Sequence, residues 1–321
     1  MKSLISKLLN GLVLVLAVVV LNFVLIHAAP GDPVETIAGE SGGMSEELRT
    51  QLRAQYGLDQ PLPVQLGRYL GKVVQGDLGH SYYFNMPVSS LILDRLAPTL
   101  LLVVVSVLLA FSVGTWLGVR ASRNPNGWLS QFTTVFSIAG FSAPVFWTGM
   151  MLIILFASIW PVLPVGDMTD SASTATGWAA LPDVLLHTIL PATTLAFVYM
   201  AQYSRLSRAS MVDVLGSDYV RTARAKGVSE RNILYKHALR NAVLPVITVL
   251  GLQFGNVLAG AVLVETVFNW PGLGRLAFDS VLRRDYPTIL GILLFSSILV
   301  VVMNVLTDMV YRLVDPRIKT S

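Results

Sequence analysis

The chain has 321 residues, of which 54% are hydrophobic and only 13% are charged, and its formal net charge is +4. Soluble globular proteins carry about 25% charged residues, so this composition excludes an ordinary soluble domain and indicates an integral membrane protein. The positive charge does not predict nucleic-acid binding, because the basic residues flank apolar stretches instead of forming one stripe. The absence of cysteine excludes disulfides, thiolate metal sites and cysteine nucleophiles.

The first apolar stretch, Leu8 to Ile26, follows two lysines near the start of the chain. At 1.5 Å per residue it is about 29 Å long, which matches a hydrocarbon core of about 30 Å. A signal peptide is the alternative, because His27, Ala28 and Ala29 resemble a cleavage site. Signal-peptide apolar regions are shorter, at about 7–15 residues. We therefore predict a retained transmembrane helix within residues 1–29.

Residues 30–95 form a long polar connection, which we predict to be a compact cap outside the cytoplasm. A helix is expected from Ser45 to Gly57, and an amphipathic helix from Pro61 to Val74. The run from Gly76 to Gly79 is typical of a turn. Another short helix is expected to begin at Pro87.

Further apolar regions lie in the remainder of the chain, residues 96–321. They are about Pro98–Val119, Ser130–Trp160, His187–Leu206, Leu244–Val264 and Thr288–Leu313. With the first stretch they predict an all-α, polytopic membrane protein with six transmembrane helices. Lys and Arg concentrate in the segments on one side of these spans, and residues 161–186 contain neither. The positive-inside rule then predicts that both termini are cytoplasmic.

Several kinds of chemistry are missing from the sequence. No lysine completes a Walker phosphate-binding loop, and the four histidines lack metal-ligand spacing. The spans contain few ionisable residues, which disfavours an ion-coupled carrier. The polar residues expected at membrane depth are Gln202, Gln253 and Asn256. They either make hydrogen bonds between helices or line a polar pathway, and the sequence leaves both open.

The segment from Asp218 to Pro245 is the long polar run between apolar spans, and we predict a cytoplasmic helical hairpin at about residues 211–243. Its basic residues are Arg221, Arg224, Lys226, Arg231, Lys236 and Arg240. Ser217 is a candidate N-cap of the first helix, and Gly227 is typical of its end. Ser229 is the corresponding N-cap of a second helix that continues to about Arg240. A basic hairpin of this kind offers a docking surface to a soluble partner.

This hairpin also carries a resemblance to a known family. The run YVRTARAKG at 219–227, followed by HALRN at 237–241 and Leu-Pro at 244–245, resembles the cytoplasmic coupling segment of bacterial ABC-importer permeases. Other matching runs are PGDP at 30–33, YGLD at 56–59, GDLGHSY at 76–82, ETVFNWPGLG at 265–274 and DPRI at 315–318. Together they cover nearly the whole chain. They are most similar to the dipeptide/oligopeptide (peptide/nickel) permease family, of the first-permease type.

One departure from the general importer motif sharpens this resemblance. The general motif reads Glu-Ala-Ala, three residues, then Gly, whereas this chain has Arg221, Thr222 and Ala223 before Gly227. The spacing to the later Leu-Pro is also longer. This variant is similar to the peptide branch of the family.

The resemblance implies a type I ABC-importer permease fold in the bacterial cytoplasmic (inner) membrane. The residues it implies for coupling to an ATPase are Ser217, Asp218, Tyr219, Val220, Arg221, Thr222, Ala223, Arg224, Ala225, Lys226 and Gly227. We expect one side of this helix to enter a cleft of a nucleotide-binding subunit, with small Ala223 and Gly227 permitting close approach. The implied partners are a second, homologous permease, two ABC ATPase subunits, an extracytoplasmic substrate-binding protein and membrane lipid. ATP and Mg²⁺ belong to the ATPases, so the chain itself is expected to hold no cofactor or metal and to catalyse no covalent step.

The outer segment 265–275 supplies further candidates. Glu265, Phe268 and Trp270 are expected to contact substrate or the binding protein, with an aromatic belt at the membrane interface as the alternative for the two aromatics. Short peptides are the expected substrate. The same importer class also suits nickel, glutathione or oligosaccharides. An ion-coupled secondary carrier and a membrane scaffold are the alternatives outside the class.

Overall fold

A computed structural model describes residues 2–28, 50, 60–81, 83–170, 172–175 and 177–314. Within these ranges the side chains of residues 2–8, 26, 28, 251, 252, 254–256, 258, 259 and 306–314 are not described. The runs at 30–33, 56–59 and 315–318 and most of the helix expected from Ser45 therefore lie outside the described residues. The described part of the chain is almost entirely helical.

The first elements in chain order are α1 (Lys2–Ala28), α2 (Leu62–Val74), β1 (His80–Ser81), β2 (Met86–Pro87), α3 (Val88–Ser122), α4 (Trp128–Ser142) and α5 (Val145–Ile153), which continues into a π-helical turn at Ile154–Ile159. After a 3₁₀ turn at Gly177–Ala180 come α6 (Leu181–Leu215), α7 (Asp218–Ala225), α8 (Glu230–Asn232), a π-helical turn at Ile233–Ala238 and α9 (Leu239–Ala242). The last elements are α10 (Leu244–Leu252), α11 (Phe254–Val267), α12 (Leu273–Leu282) and α13 (Tyr286–Val314).

Three helical stretches are long and apolar enough to cross a membrane. They are Val88–Ser122, Gly177–Leu215 and Tyr286–Val305. Two bent pairs also meet the criterion, each as one broken span: Trp128–Ser142 with Val145–Ile159, and Glu230–Ala242 with Leu244–Leu250. The apolar run Leu9–Leu25 within α1 is shorter. The described residues thus contain three to five spans by length and composition, together with this shorter apolar helix.

Two of the predicted spans are interrupted. The stretch expected at Ser130–Trp160 bends by 108° between α4 and α5. The break falls at Ala143, whose extended backbone is the conformation that the following Pro144 favours. The stretch expected at Leu244–Val264 is divided at Gln253, which ends α10 and precedes α11.

The chain divides into two compact units, and the first comprises Met1–Ala97 and Arg275–Val302. In it, the buried Asn22 amide of α1 donates to the Leu290 carbonyl of α13 at 3.0 Å. The buried Asp285 carboxylate, just before α13, accepts bonds from the hydroxyls of Ser81 (2.5 Å) and Thr288 (2.7 Å). These bonds attach the small β-hairpin and α1 to the last helix.

Two expectations for residues 60–95 can be compared with the first unit. The amphipathic helix is confirmed as α2, and the turn after it is confirmed by positive φ angles at Gly76 and Gly79. The short helix expected at Pro87 is wrong. Pro87 ends β2, and the helix that follows continues without a break for 35 residues as α3.

The second unit comprises Pro98–Gly274 and Met303–Ser321. Small residues allow its helices to approach closely: a side chain at Gly118 of α3 would overlap the Ser204 carbonyl of α6, and one at Gly140 of α4 would overlap Ala201. Close approach through small residues is the usual packing mode of helices in lipid. Among the largest fully buried side chains of this unit are Phe268 and Trp270.

Candidate functional site

The polar segment folds as the predicted hairpin, which we call the basic hairpin (residues 217–242). Its first arm is α7, which ends at Gly227 with φ +77°. The Gly227 N–H donates to the Arg224 carbonyl (2.9 Å) and the Val228 N–H to the Ala223 carbonyl (3.2 Å). This pair of bonds is the Schellman arrangement that closes a helix through a left-handed glycine.

The N-caps behave differently from the prediction. Ser217 occupies the N-cap position of α7, but its hydroxyl donates back to the Val214 carbonyl at 2.5 Å instead of accepting from α7. Ser229 occupies the corresponding position before α8, also without a side-chain cap. The second arm reaches Ala242, two residues beyond the predicted end, and its middle is a π-helical turn.

The hairpin has its own apolar core. Val220 and Ala223 of α7 are buried against Ile233 of the second arm, with Leu215 and Val228 beside them. Ala223 therefore packs against the second arm of the hairpin in this conformation, and its expected close approach to an ATPase stays a prediction. What the hairpin offers a partner is the opposite, exposed face. Its members are Asp218, Tyr219, Arg221, Thr222, Arg224, Ala225, Lys226 and Gly227.

Exposed polar contacts connect the two arms. The Arg224 guanidinium donates to the Glu230 carboxylate at 2.9 Å. The Asn241 amide donates to the Tyr219 hydroxyl at 2.9 Å. The Arg224–Glu230 ion pair is exposed, and such pairs add little stability because water and salt screen them, so the apolar core holds the hairpin together and these contacts fix its geometry.

The polar residues predicted at membrane depth form a short chain. Tyr203 of α6 is buried, and its hydroxyl donates to the Gln253 amide oxygen at 2.8 Å. The Gln253 amide nitrogen in turn donates to the amide oxygen of Gln202. Gln253 is thus a buried link between α6 and the break at α10–α11, and Gln202 is the more exposed end. The third candidate, Asn256, lies in α11, and its side chain is outside the described residues.

The segment 265–274, which we call the buried turn, is organised around one carboxylate. Glu265 at the end of α11 is fully buried. Its carboxylate accepts bonds from the Thr99 hydroxyl of α3 (2.7 Å) and from the Gly274 N–H (2.7 Å). Gly272 lies so close that a side chain there would overlap the same carboxylate. Glu265 therefore holds the chain reversal together instead of facing a ligand.

The two aromatic candidates are also inside. Phe268 and Trp270 expose 1% and 0% of their surface. The Trp270 indole N–H donates to the Pro98 carbonyl at 3.0 Å, and the Phe268 carbonyl accepts from the Asp167 N–H at 2.8 Å. Neither aromatic is an interfacial belt residue or an exposed contact in this conformation.

Thr99 is the structural partner of Glu265, and the sequence did not predict it. Its hydroxyl donates to Glu265 and accepts from the Leu273 N–H at 2.8 Å, so it joins both ends of the buried turn. A threonine next to Pro98 in an apolar stretch carries no signal of this role. Among the described residues no group of three His, Asp or Glu side chains could hold a metal ion.

Two family models match the sequence. Residues 110–320 match the family described as "Binding-protein-dependent transport system inner membrane component". Residues 1–103 match the N-terminal model of the same kind of membrane component. The two matches leave only a short interval of the chain uncovered.

Individual relatives agree with these models. The chain is 40% identical to a dipeptide transport system permease protein, DppB, of Escherichia coli K12, covering 95% of this chain and 94% of that protein. It is 41% identical to an oligopeptide transport system permease protein, AppB, of Bacillus subtilis, covering 98% of both. It is 42% identical to a glutathione transport system permease protein, GsiC, of Salmonella paratyphi A, covering 98% and 97%.

Solved structures show the same fold at low identity. An inward-facing MetNI methionine ABC transporter chain superposes with a TM-score of 0.53 at 17% identity, covering 70% of this chain and 96% of that one. A chain of an amino acid ABC transporter solved with histidines gives 0.51 at 14% identity, covering 72% and 95%. The matches over both models and the near-full-length relatives show that this chain belongs to the family of inner-membrane components of binding-protein-dependent transport systems.

Proposed function

We propose that the chain is one permease subunit of an ATP-driven importer that takes up short peptides. A substrate-binding protein outside the membrane delivers the peptide, and a second, homologous permease completes the pathway. Two ABC ATPase subunits, which carry the ATP and Mg²⁺, dock on the cytoplasmic side. No nucleic acid takes part. The family membership and the relatives named for dipeptide and oligopeptide transport support this assembly.

The basic hairpin is the observation that carries the coupling role. Its apolar core and Schellman closure make it a compact unit, and Arg221 and Lys226 are solvent-exposed on its other face. It lies between the 35-residue helix α6 and the apolar helix α10. A force applied to the hairpin by an ATPase is therefore passed directly into both helices.

The proposed topology has six spans with both termini in the cytoplasm. It treats α1, α3, the α4–α5 pair, α6, α10–α11 and α13 as the spans. The distribution of Lys and Arg then places the basic hairpin inside and the buried turn outside. This arrangement divides the chain into an N-terminal helix (1–29), an outer cap (30–95) and a five-helix core (96–321).

Glutathione is the second candidate substrate. A relative of nearly the same identity and coverage is named for glutathione transport. Glutathione is itself a small peptide with free carboxylates, so both candidates call for the same chemistry in the pathway.

The coupling role is tested by purifying the tagged chain with its partner subunits in mild detergent. We expect ATPase subunits to co-purify with the wild type and to be lost from the double variant Arg221→Glu, Lys226→Glu. Both side chains are exposed, so charge reversal leaves the hairpin core intact and changes only the docking face. Peptide uptake by the reconstituted complex should fall in parallel.

Arg68→Glu is the matched control, because Arg68 is an exposed arginine of α2, on the proposed outer side. It should retain the ATPases and uptake. Loss of the ATPases from both variants, or from neither, would contradict docking at the basic hairpin. No ATPase in the wild-type preparation would contradict the importer itself.

A further inference from the structure

A groove between α4 and α6 was not foreseen from the sequence. Its volume is about 450 Å³, and two arginines and several hydroxyl side chains line it. The lining residues are Thr133, Thr134, Ser137, Ile138, Phe141, Ser142, Arg205 and Arg208. It belongs neither to the basic hairpin nor to the buried turn.

Arg208 marks one end of the groove. Its Nε donates to the Ser130 hydroxyl at 2.6 Å, and its Nη2 donates to the Pro125 carbonyl at 3.2 Å. Pro125 lies in the loop that precedes α4, which the proposed topology places at the cytoplasmic surface. Arg208 is thus fixed in place at the inner mouth of the groove.

Arg205 lies deeper. Its guanidinium carbon is 5.2 Å from the ring centre of Phe141, in a cation–π contact. Phe141 is 13 residues after Trp128, so about 20 Å of helix separates it from the start of α4. Arg205 itself is exposed and lies at the inner end of the apolar region His187–Leu206, where an arginine is stabilised by water or by an anionic partner.

Within the described residues no carboxylate forms an ion pair with Arg205 or Arg208. The hydroxyls of Thr133 and Thr134 donate to carbonyls of their own helix, which leaves their oxygens able to accept. The buried Ser137 hydroxyl is already engaged by α6, through the Ala201 carbonyl and the Ser204 hydroxyl. The groove thus combines positive charge for an anion with acceptors for N–H groups.

We propose that this groove binds the carboxylate of the transported peptide on the inner half of its path, with Arg205 as the contacting residue. The guanidinium is suited to this, because it can make two parallel hydrogen bonds to one carboxylate. The inference rests on the proposed importer function and names the recognition element within it. An anionic lipid phosphate is a poorer fit, because the hydroxyl acceptors of Thr133 and Thr134 suit a ligand that brings N–H donors together with its carboxylate.

The test uses the full complex, with binding protein, in liposomes of neutral lipid and in liposomes containing phosphatidylglycerol. The measured quantity is peptide transported per ATP hydrolysed. We expect Arg205→Gln to lower it about tenfold in both lipids, since a charge-assisted hydrogen bond is lost, and Arg205→Lys to lower it less. Arg120→Gln is the matched control: Arg120 also makes a cation–π contact, with Trp116, but lies outside the groove.

The outcomes separate the two proposals. If the wild type performs no ATP-driven uptake, the importer function fails. If the wild type transports and Arg205→Gln matches it, the groove inference alone fails. If the loss appears only with phosphatidylglycerol, the groove binds lipid and the inference is overturned.

A second measurement keeps Arg205 unchanged. Ile138 lines the groove and is exposed, so Ile138 replaced by the photo-crosslinker p-benzoylphenylalanine should capture radiolabelled dipeptide during turnover. The same replacement at Leu108, an exposed residue of α3 outside the groove, should not. Equal labelling at both positions, or labelling of lipid alone at Ile138, would overturn the inference.

Discussion

The basic hairpin and the buried turn each contain a glutamate, glycine and aromatic side chains, but their environments are opposite. The sequence suggested a contact surface for both. In the hairpin, Glu230 is exposed and pairs with Arg224 across the surface. In the buried turn, Glu265 is fully enclosed and accepts bonds from Thr99 and a backbone N–H.

The difference shows that burial distinguishes a carboxylate that can bind a partner from one that stabilises the fold. An exposed carboxylate exchanges water for a partner at little gain, about 1 kcal/mol or less, so it can change partners readily. A buried carboxylate with fixed donors is costly to leave unpaired. The hairpin is therefore suited to docking and release, whereas the buried turn holds α3, α11 and the start of α12 at a fixed chain reversal.

The difference is tested most directly by two variants, each of which removes one carboxylate. Glu265→Ala leaves the Thr99 hydroxyl and the Gly274 N–H without their acceptor in a closed site. We expect it to lower the free energy of unfolding by about 3 kcal/mol, measured by denaturant titration of the purified chain in mixed micelles. Glu230→Ala should have a much smaller effect, because water screens the exposed ion pair. Equal effects would mean that the two carboxylates do not differ as the structure shows.

A pair of glycines gives the next largest contrast. At Gly272 an added methyl would overlap the Glu265 carboxylate, and the surrounding turn cannot move away without losing its bonds. Gly272→Ala should therefore cost about 2 kcal/mol through overpacking. Gly227 has open space but a φ of +77°, so Gly227→Ala should cost about 1 kcal/mol from backbone strain alone. The same titration ranks them, and a larger cost at Gly227 would contradict the steric argument.

Two tryptophans on the proposed outer side, one buried and one exposed, provide another matched pair. Trp270 is enclosed and donates to the Pro98 carbonyl, while Trp178 is 90% exposed. Trp270→Phe should cost about 1.5 kcal/mol, because it removes the buried indole hydrogen bond to α3 and part of the packing. Trp178→Phe should stay within about 0.5 kcal/mol of wild type. If Trp270→Phe were neutral but abolished uptake, Trp270 would be a contact residue after all.

The sequence predicted what depends on local chemistry. Apolar stretches of sufficient length located the helices, and Gly227 located the end of α7 because few other residues adopt a positive φ. The bend at Ala143–Pro144 was also readable in principle, since proline disfavours a helical residue before it. Helix existence and hairpin position follow from the order of residues along the chain.

The sequence could not predict which face of each element is covered. Ala223 and Val220 are buried because Ile233, ten or more residues later, folds onto them. Glu265 is structural because Thr99, 166 residues earlier, donates to it. Arg205 makes its cation–π contact with Phe141, 64 residues earlier on another helix. Each role depends on a distant neighbour, and a single sequence carries no record of that pairing.

The smallest expected change in stability tests whether the basic hairpin must be rigid. Tyr219 accepts a bond from Asn241 across the two arms, at the surface. Tyr219→Phe should alter the free energy of unfolding by less than about 0.5 kcal/mol, because water replaces the lost partner. If the ATPases move the hairpin as one body, loosening this bond should still lower the amount of peptide transported per ATP hydrolysed. Asn241→Ala should also lower it. The double variant should match Tyr219→Phe, because the Tyr219 hydroxyl makes both the Asn241 contact and a longer donation to the His237 carbonyl (3.4 Å). Additive losses, or transport unchanged in all three, would show that the contact between the arms takes no part in coupling.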